Sequence, residues 1–301
     1  MIKTLIVGLG NIGFKFDQDN IAKKITHSSA IYNHKKFLLV GGVEKKKNIS
    51  SKFKKIYKIP VFKSLKNSFK FTKPELIVFT NQPGLKDINY LSKNKNIKFL
   101  LIEKPFFKKK NEIKKILKIL KQNQISITLN FQRNFSKKYI KLGNQIKLGI
   151  VGKTFKTFCF YNKSFIDNGS HFLNFINMYS KNFKKVFKNS DNLQFKYQNG
   201  DAFFFKIADS NYNNNNIIIF GDKGKIEISS RPEKCTIFIK VRDPFYKNLF
   251  TLKKLKSYDL HENEPQKPVL DNIYEVIKFN KKNLFNETKI IKYLSIMEKT
   301  K

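Results

Sequence analysis

The stretch Thr4–Gly13, TLIVGLGNIG, constrains this chain more than any other. Leu5, Ile6 and Val7 form a short apolar run that empties directly into Gly8-x-Gly10-x-x-Gly13. A buried parallel strand that passes through a tight turn into a helix has this pattern. The spacing is steric in origin. Gly8 permits the turn, Gly10 lets a pyrophosphate approach the backbone, and Gly13 lets the next element pack close to the sheet. A helix starting there would present free N–H groups and a partial positive charge to the phosphates. The expectation is a dinucleotide site formed by Gly8, Gly10, Asn11, Ile12 and Gly13.

Strand and helix signals then alternate. A polar loop over residues 14–26 (FKFDQDNIAKKIT) precedes a helix expected to start at Ser28–Ser29, natural N-cap residues. FLLVGGV (37–43) reads as the next strand and ends in Glu44, placed to bond a ribose diol and to repel a 2′-phosphate. That leans the cofactor toward NAD, while Lys45-Lys46-Lys47 would suit NADP. ELIVFT (75–80) closes on Asn81-Gln82-Pro83-Gly84, and KFLLI (98–102) on Glu103-Lys104-Pro105. Polar groups at the carboxyl ends of parallel strands face the ligand crevice, so Thr80, Asn81, Gln82, Glu103 and Lys104 join the expected cofactor-binding set. EIKKILKILKQ (112–122) is an amphipathic helix and SITLNF (126–131) a further strand. The pattern predicts an α/β fold, a Rossmann-type doubly wound parallel sheet over residues 1–128.

Residues 129–301 read differently. Strand-like runs succeed one another at 154–161, 193–197, 202–208, 216–221, 225–229 and 236–240, joined by turn residues that include the Asn213–Asn216 run. Strands without helices between them predict an α+β domain with a large, mainly antiparallel sheet. A helix pair at about 269–278 and 287–299 is expected to close this second domain.

Composition excludes several classes. With 301 residues, 41% hydrophobic and 31 of them Phe, the chain has ample material for two cores. The net charge of +39 suggests a polyanion partner, but only three of the 61 basic residues are arginine (Arg133, Arg231, Arg242). Phosphate and base readers favour clustered arginine forks, and here lysines are spread along the whole chain. No nucleic acid partner is expected; the charge would instead help draw in an anionic substrate. No apolar run is long enough for membrane insertion, and the glycine turn arrives too early for a signal peptide. Cys159 and Cys235 lie far apart, which suits two buried thiols in a reducing cytoplasm. His27, His34 and His261 are scattered and receive no role, and no metal-ligand spacing exists.

GLGNIG, Glu103-Lys104-Pro105 and Asp167-Asn168-Gly169-Ser170-His171 together resemble the glucose–fructose oxidoreductase / inositol dehydrogenase (Gfo/Idh/MocA) family across nearly the whole chain. NFQRNF (130–135) followed by GIVG (149–152) is similar to that family's join into its second domain. The resemblance implies an NAD(P)-dependent oxidoreductase moving a hydride between nicotinamide and a hydroxyl or keto carbon of a sugar, nucleotide sugar or cyclic polyol. A non-catalytic NAD(P)-binding sensor of the same fold is the alternative. His171 would exchange the hydroxyl proton and Asp167 would orient the imidazole or share the substrate hydroxyl. Lys104 would hold the reacting oxygen, with a cis bond to Pro105 fixing its direction. Lys104, Asp167, Asn168 and His171 would then touch substrate. A homo-oligomer, dimer or tetramer, is implied by the same resemblance. Two departures stand out: the span from Tyr161 to Asp167 is short, and Asn174 stands where many relatives carry Asp.

Overall fold

The computed structural model describes residues 1–106, 110–207 and 214–300. Two compact units emerge: Met1–Phe135 with Asn263–Leu294, and Ser136–Glu262 with the C-terminal residues from Ser295. The chain thus leaves its first unit at 135/136, later than the 128/129 boundary expected from the sequence, and returns to it at 263.

In the first unit, β1 (Ile2–Val7), β2 (Phe37–Val43), β3 (Val61–Phe62), β4 (Leu76–Phe79), β5 (Phe99–Ile102) and β6 (Ser126–Leu129) form one parallel sheet of order β3-β2-β1-β4-β5-β6. Every residue of β4 and β5 is buried, which requires cover on both faces and accounts for their unbroken apolar runs. The strand order reverses between β1 and β4, so a crevice opens beyond their carboxyl ends. The connecting helices are α1 (His27–Tyr32), α2 (Lys47–Tyr57), the single turn α3 (Leu65–Ser68), α4 (Leu85–Ser92) and α5 (Lys110–Gln122). The start of α1 corrects the expected Ser28–Ser29 cap: the Thr26 hydroxyl accepts from Ser29 N. Buried Asp17 explains this, because its carboxylate accepts from Ile25 N (2.8 Å), Thr26 N (2.9 Å), Thr26 Oγ1 (2.7 Å) and the Ser29 hydroxyl. Four donors on one carboxylate turn the polar loop 14–26 into a closed clasp.

The second unit begins with α6 (Lys137–Lys147), capped by Ser136, and β7 (Thr154–Tyr161). After α7 (Ser170–Tyr179) come β8 (Phe183–Asn189), β9 (Asn192–Tyr197), β10 (Gly200–Lys206), β11 (Asn216–Gly221), β12 (Gly224–Ser230), β13 (Glu233–Arg242) and β14 (Phe250–Asp259). Their order is β14-β13-β12-β11-β7-β10-β9-β8. All neighbours run antiparallel except β10 and β7. Ala208 and Asn213, expected from the sequence in a strand and a turn, lie outside the described residues. One sheet face is apolar and buried, with Cys159, Phe195, Phe204, Ile217, Ile219, Ile226 and Ile237. Tyr179 Oη lies 3.2 Å from Thr157 Oγ1, so α7 packs on that face. On the opposite face a ladder of rings stays half-buried: Phe158 stacks on Phe203 (5.2 Å between centroids), and Phe160 on Phe205 (5.6 Å).

The closing helices are α8 (Lys267–Phe279) and α9 (Glu287–Glu298). Expected in the second domain, α8 and most of α9 instead belong to the first unit. Thr128 Oγ1 donates to Phe285 O (2.9 Å) and Asn283 Nδ2 to Ile127 O (2.8 Å), so the segment between these helices is bonded to β6.

Candidate functional site

The glycine turn leaves β1 with Gly8 at φ +93°, a region glycine enters without strain. A Cβ on Gly8 would stand 2.6 Å from Thr80 Oγ1, and one on Gly13 would stand 2.5 Å from the Gly8 carbonyl oxygen. Gly13 is therefore required by packing of the turn against itself. Over Gly10, by contrast, an added Cβ would meet nothing within 4 Å. The turn is pinned on two sides by Gly8 N donating to Val43 O (2.9 Å) and Thr80 Oγ1 donating to Gly8 O (2.8 Å).

Beyond Gly13 the chain departs from the expected strand–turn–helix unit. No α-helix starts there; a single 3₁₀ turn, Lys15–Asp17, follows instead. One hydrogen-bonded turn (Phe14 N to Gly10 O, 2.9 Å; Phe16 N to Asn11 O, 3.1 Å) leads into the clasped loop, and α1 begins only after Thr26. Among the described residues, no hydrogen bond uses the N–H groups of Gly10, Asn11, Ile12 or Gly13. Four consecutive unengaged donors, with open space over Gly10, are what an anion-binding turn offers without a long helix behind it. Glu44 lies next to it, its Oε2 accepting from Leu9 N (3.2 Å) and its Oε1 from Lys46 N (3.0 Å). These features fit the pyrophosphate and ribose of a dinucleotide.

The other strand ends divide by what their side chains do. Thr80 donates its hydroxyl proton to Gly8 O and so helps hold the turn. Gln82 Nε2 donates to Pro105 O (2.8 Å) and steadies the Glu-Lys-Pro loop. Asn81 is exposed beside the glycine turn. Glu103 is turned inward, 8% exposed, with Oε1 2.7 Å from His27 Nε2 and Oε2 accepting from Lys104 N (3.2 Å). Both carboxylate oxygens are thus engaged within the first unit. Lys104 comes next at the rim, half-buried, with a cis bond to Pro105.

In the second unit, the short span after β7 is a π-helical turn, Phe165–Gly169, running directly into α7. Ser164 is its N-cap: its hydroxyl accepts from Asp167 N (3.0 Å) and donates to Asp167 Oδ2 (2.6 Å). Asp167 is thus the third residue of the turn and is exposed. Gly169 must be small, since a Cβ would stand 2.4 Å from Phe165 Cδ2. Asn168 Nδ2 donates back to Asn162 O (2.9 Å), and half-buried His171 sits in the first turn of α7. Asn174, 3% exposed, donates to Ser170 O (3.2 Å) within its own helix. Burial pushes the Tyr161 phenol at the end of β7 up to about 12, so it stays protonated and donates to Asp191 O (3.1 Å).

The residues expected at the cofactor lie at the carboxyl ends of β1, β2, β4 and β5, while Asp167 and Asn168 lie in the π-helical turn and His171 in the first turn of α7 that follows it. His27, to which the sequence assigns no role, proves to be the buried partner of Glu103.

No protein-family model matches the sequence, and no curated protein matches it. Solved structures match over the whole chain. A dehydrogenase (MviM) from Clostridium difficile superposes with a TM-score of 0.73 at 15% identity, covering 99% of this chain and 98% of its own. An oxidoreductase from Agrobacterium radiobacter, in complex with NAD+, L-tartaric acid and magnesium, gives 0.71 at 11%, covering 99% and 95%. The super-repressor mutant of Gal80p from Saccharomyces cerevisiae gives 0.74 at 14%, covering 99% and 94%.

Proposed function

We propose that this chain, which has the fold of the Gfo/Idh/MocA oxidoreductases along its whole length, is an NAD(P)-dependent oxidoreductase acting on a hydroxyl or keto carbon of a sugar, nucleotide sugar or cyclic polyol. The observation that carries the reading is the row of unengaged N–H groups from Gly10 to Gly13 under open space, with Lys104 in the same unit. Gly10–Gly13 hold the pyrophosphate and Glu44 the adenosine ribose, with NAD favoured over NADP. Asn81 is the polar side chain left to the ligand at the end of β4. When bound, the nicotinamide supplies or accepts the hydride.

The chain's own groups handle oxygen and proton. The Lys104 ammonium donates to the substrate oxygen and stabilises negative charge developing on it. His171 takes the hydroxyl proton in oxidation and returns it in reduction. Asp167 orients that exchange, and Asn168 shapes the turn that presents both. The protein works in the reducing cytoplasm, in keeping with two free buried cysteines. It assembles as a dimer or tetramer, with the ring-bearing sheet face meeting a second copy; light scattering tests this.

Absorbance-monitored turnover across a panel of sugars, polyols and nucleotide sugars is the primary test. Lys104→Ala and His171→Ala are each expected to lower turnover by roughly a hundredfold, the scale of losing an oxyanion or acid–base partner. Undiminished turnover in both variants would overturn these roles.

A second reading is favoured by Asn174 and by the Gal80p super-repressor's sharing this fold. On that reading the chain is a regulator that binds the dinucleotide without using it. NADH binding with no hydride exchange across the whole panel would decide for it.

A further inference from the structure

The inner side of the Glu103–Lys104 turn carries a hydrogen-bond circuit that the proposed chemistry leaves unexplained. His27 is fully buried, with Nε2 2.7 Å from Glu103 Oε1. The Asn130 side-chain amide, 3% exposed, donates to the same oxygen and also to Gln266 Oε1 at 3.0 Å. Gln266 Nε2 then donates to Ile25 O at 3.3 Å, so the circuit starts and ends on the segment 25–27. An ionised carboxylate can only accept, so Nε2 carries the imidazole proton. Among the described residues, His27 Nδ1 meets no partner.

The same residue is tied to the cradle. His27 N donates to Ile12 O (3.0 Å), while Ser28 N and Ser28 Oγ reach Gly13 O at 3.2 and 2.6 Å. One end of His27 therefore grips the glycine turn, and the other grips the carboxylate whose second oxygen receives Lys104 N. We propose that His27 is a positioning residue for Lys104: it spans the phosphate cradle and Glu103, and through Glu103 it fixes the main chain from which the lysine projects. This rests on reading Lys104 as the group that holds the substrate oxygen. The physical reason is that a nearly buried carboxylate stays inward only while its donors are complete. With one donor removed, Glu103 turns toward water and its bond to Lys104 N goes with it.

Two substitutions separate the donor from mere bulk. His27→Gln places an amide donor near the position of Nε2; His27→Asn places it near Nδ1, short of Glu103. Trace acetylation of the full chain with acetic anhydride, read by peptide mass spectrometry, reports the reactivity of the Lys104 amine against exposed Lys98 and Lys121. In His27→Asn the relative reactivity of Lys104 is expected to change about fivefold, the scale of one net hydrogen bond. In His27→Gln it should return to the wild-type value. NADH affinity should hold in both, since the contact to Ile12 is main chain.

Unchanged Lys104 reactivity in both variants, or His27→Gln behaving as His27→Asn does, would overturn the positioning role. Should His27→Asn fail to fold by circular dichroism, His27→Leu takes its place: shifted Lys104 reactivity there with the wild-type value kept in His27→Gln supports the role, and unshifted reactivity in His27→Leu sinks it. The labelling needs no substrate, so its outcome is separate from that of Lys104→Ala turnover. With turnover lost in Lys104→Ala but labelling unmoved, the proposed function stands and this inference falls.

Discussion

The glycine turn of the first unit and the Asp167–His171 stretch of the second are made of different materials. The turn offers main-chain N–H groups, and its shape is set by atoms that cannot move aside: the Gly8 carbonyl under Gly13 and the Val43 carbonyl behind Gly8. The Asp167–His171 stretch offers side chains, and its shape is set by the Ser164–Asp167 pair and by the Phe165 ring over Gly169. A cradle of backbone tolerates almost no change of sequence at its glycines. A turn held by side chains can keep its shape while the groups it displays change. Binding and chemistry can therefore drift apart on such a fold, since each rests on a differently constrained surface.

The sharpest way to break this comparison is a pair of alanines in the turn. Gly13→Ala drives a Cβ onto a carbonyl oxygen and should lower stability by about 1–3 kcal/mol, the range for overpacking, with loss of NADH binding. Gly10→Ala meets no protein atom. It should melt as wild type does while losing NADH affinity, because its methyl fills the space a pyrophosphate needs. Equal melting temperatures for the two, or retained affinity in Gly10→Ala, would dissolve the distinction between packing and binding glycines.

A smaller effect tests the second region. Ser164→Ala removes a cap and should cost about 1 kcal/mol by chemical denaturation, leaving NADH affinity untouched. A fall in affinity would mean that the turn contributes to the cradle after all.

The smallest effect is in pH. Burial lowers the pKa of His34 from 6.5, a shift that Asp271 only partly offsets. The folded state thus favours neutral imidazole, and the unfolded chain takes the proton first. Stability in the first unit should decline as pH falls through 6.5 toward the lower folded value. In the second unit, Asp259 is held below its ordinary 3.8, chiefly by the His261 N–H. Its contribution is kept above 3.8 and lost only as pH falls through the folded value. Hydrogen exchange should therefore show the first unit loosening at higher pH, with His34→Gln flattening that response. Identical onsets would contradict the assignment.

Legibility followed local physics. The glycine spacing and the buried runs of β4 and β5 announce themselves, since each depends on neighbouring residues alone. So does the helix α5, whose apolar positions share one face. The strands β8 and β14 did not, because both are sheet edges in which most side chains are exposed and alternation is absent. The late start of α1 depends on Asp17 reaching nine residues along the chain to Thr26, which no cap rule contains. The return of α8 to the first unit depends on partners far away, as when Asn283 bonds Ile127. Of the candidate residues, Lys104 in the first unit and Asp167 and His171 in the second stood out through a family pattern. Their supports did not: the bond from His27 to Glu103 spans 76 residues and leaves no periodic trace.

The outermost strands of the second sheet also carry a lesson about crowding. Lys184, Lys185 and Lys188 fringe β8, and Lys253, Lys254 and Lys256 fringe β14. An open edge invites another chain to add itself as the next strand, and rows of like charge forbid that junction. A sheet loaded with phenylalanine is thereby denied growth into fibres at low ionic strength. Salt that screens the fringe would lift the veto and should favour aggregation.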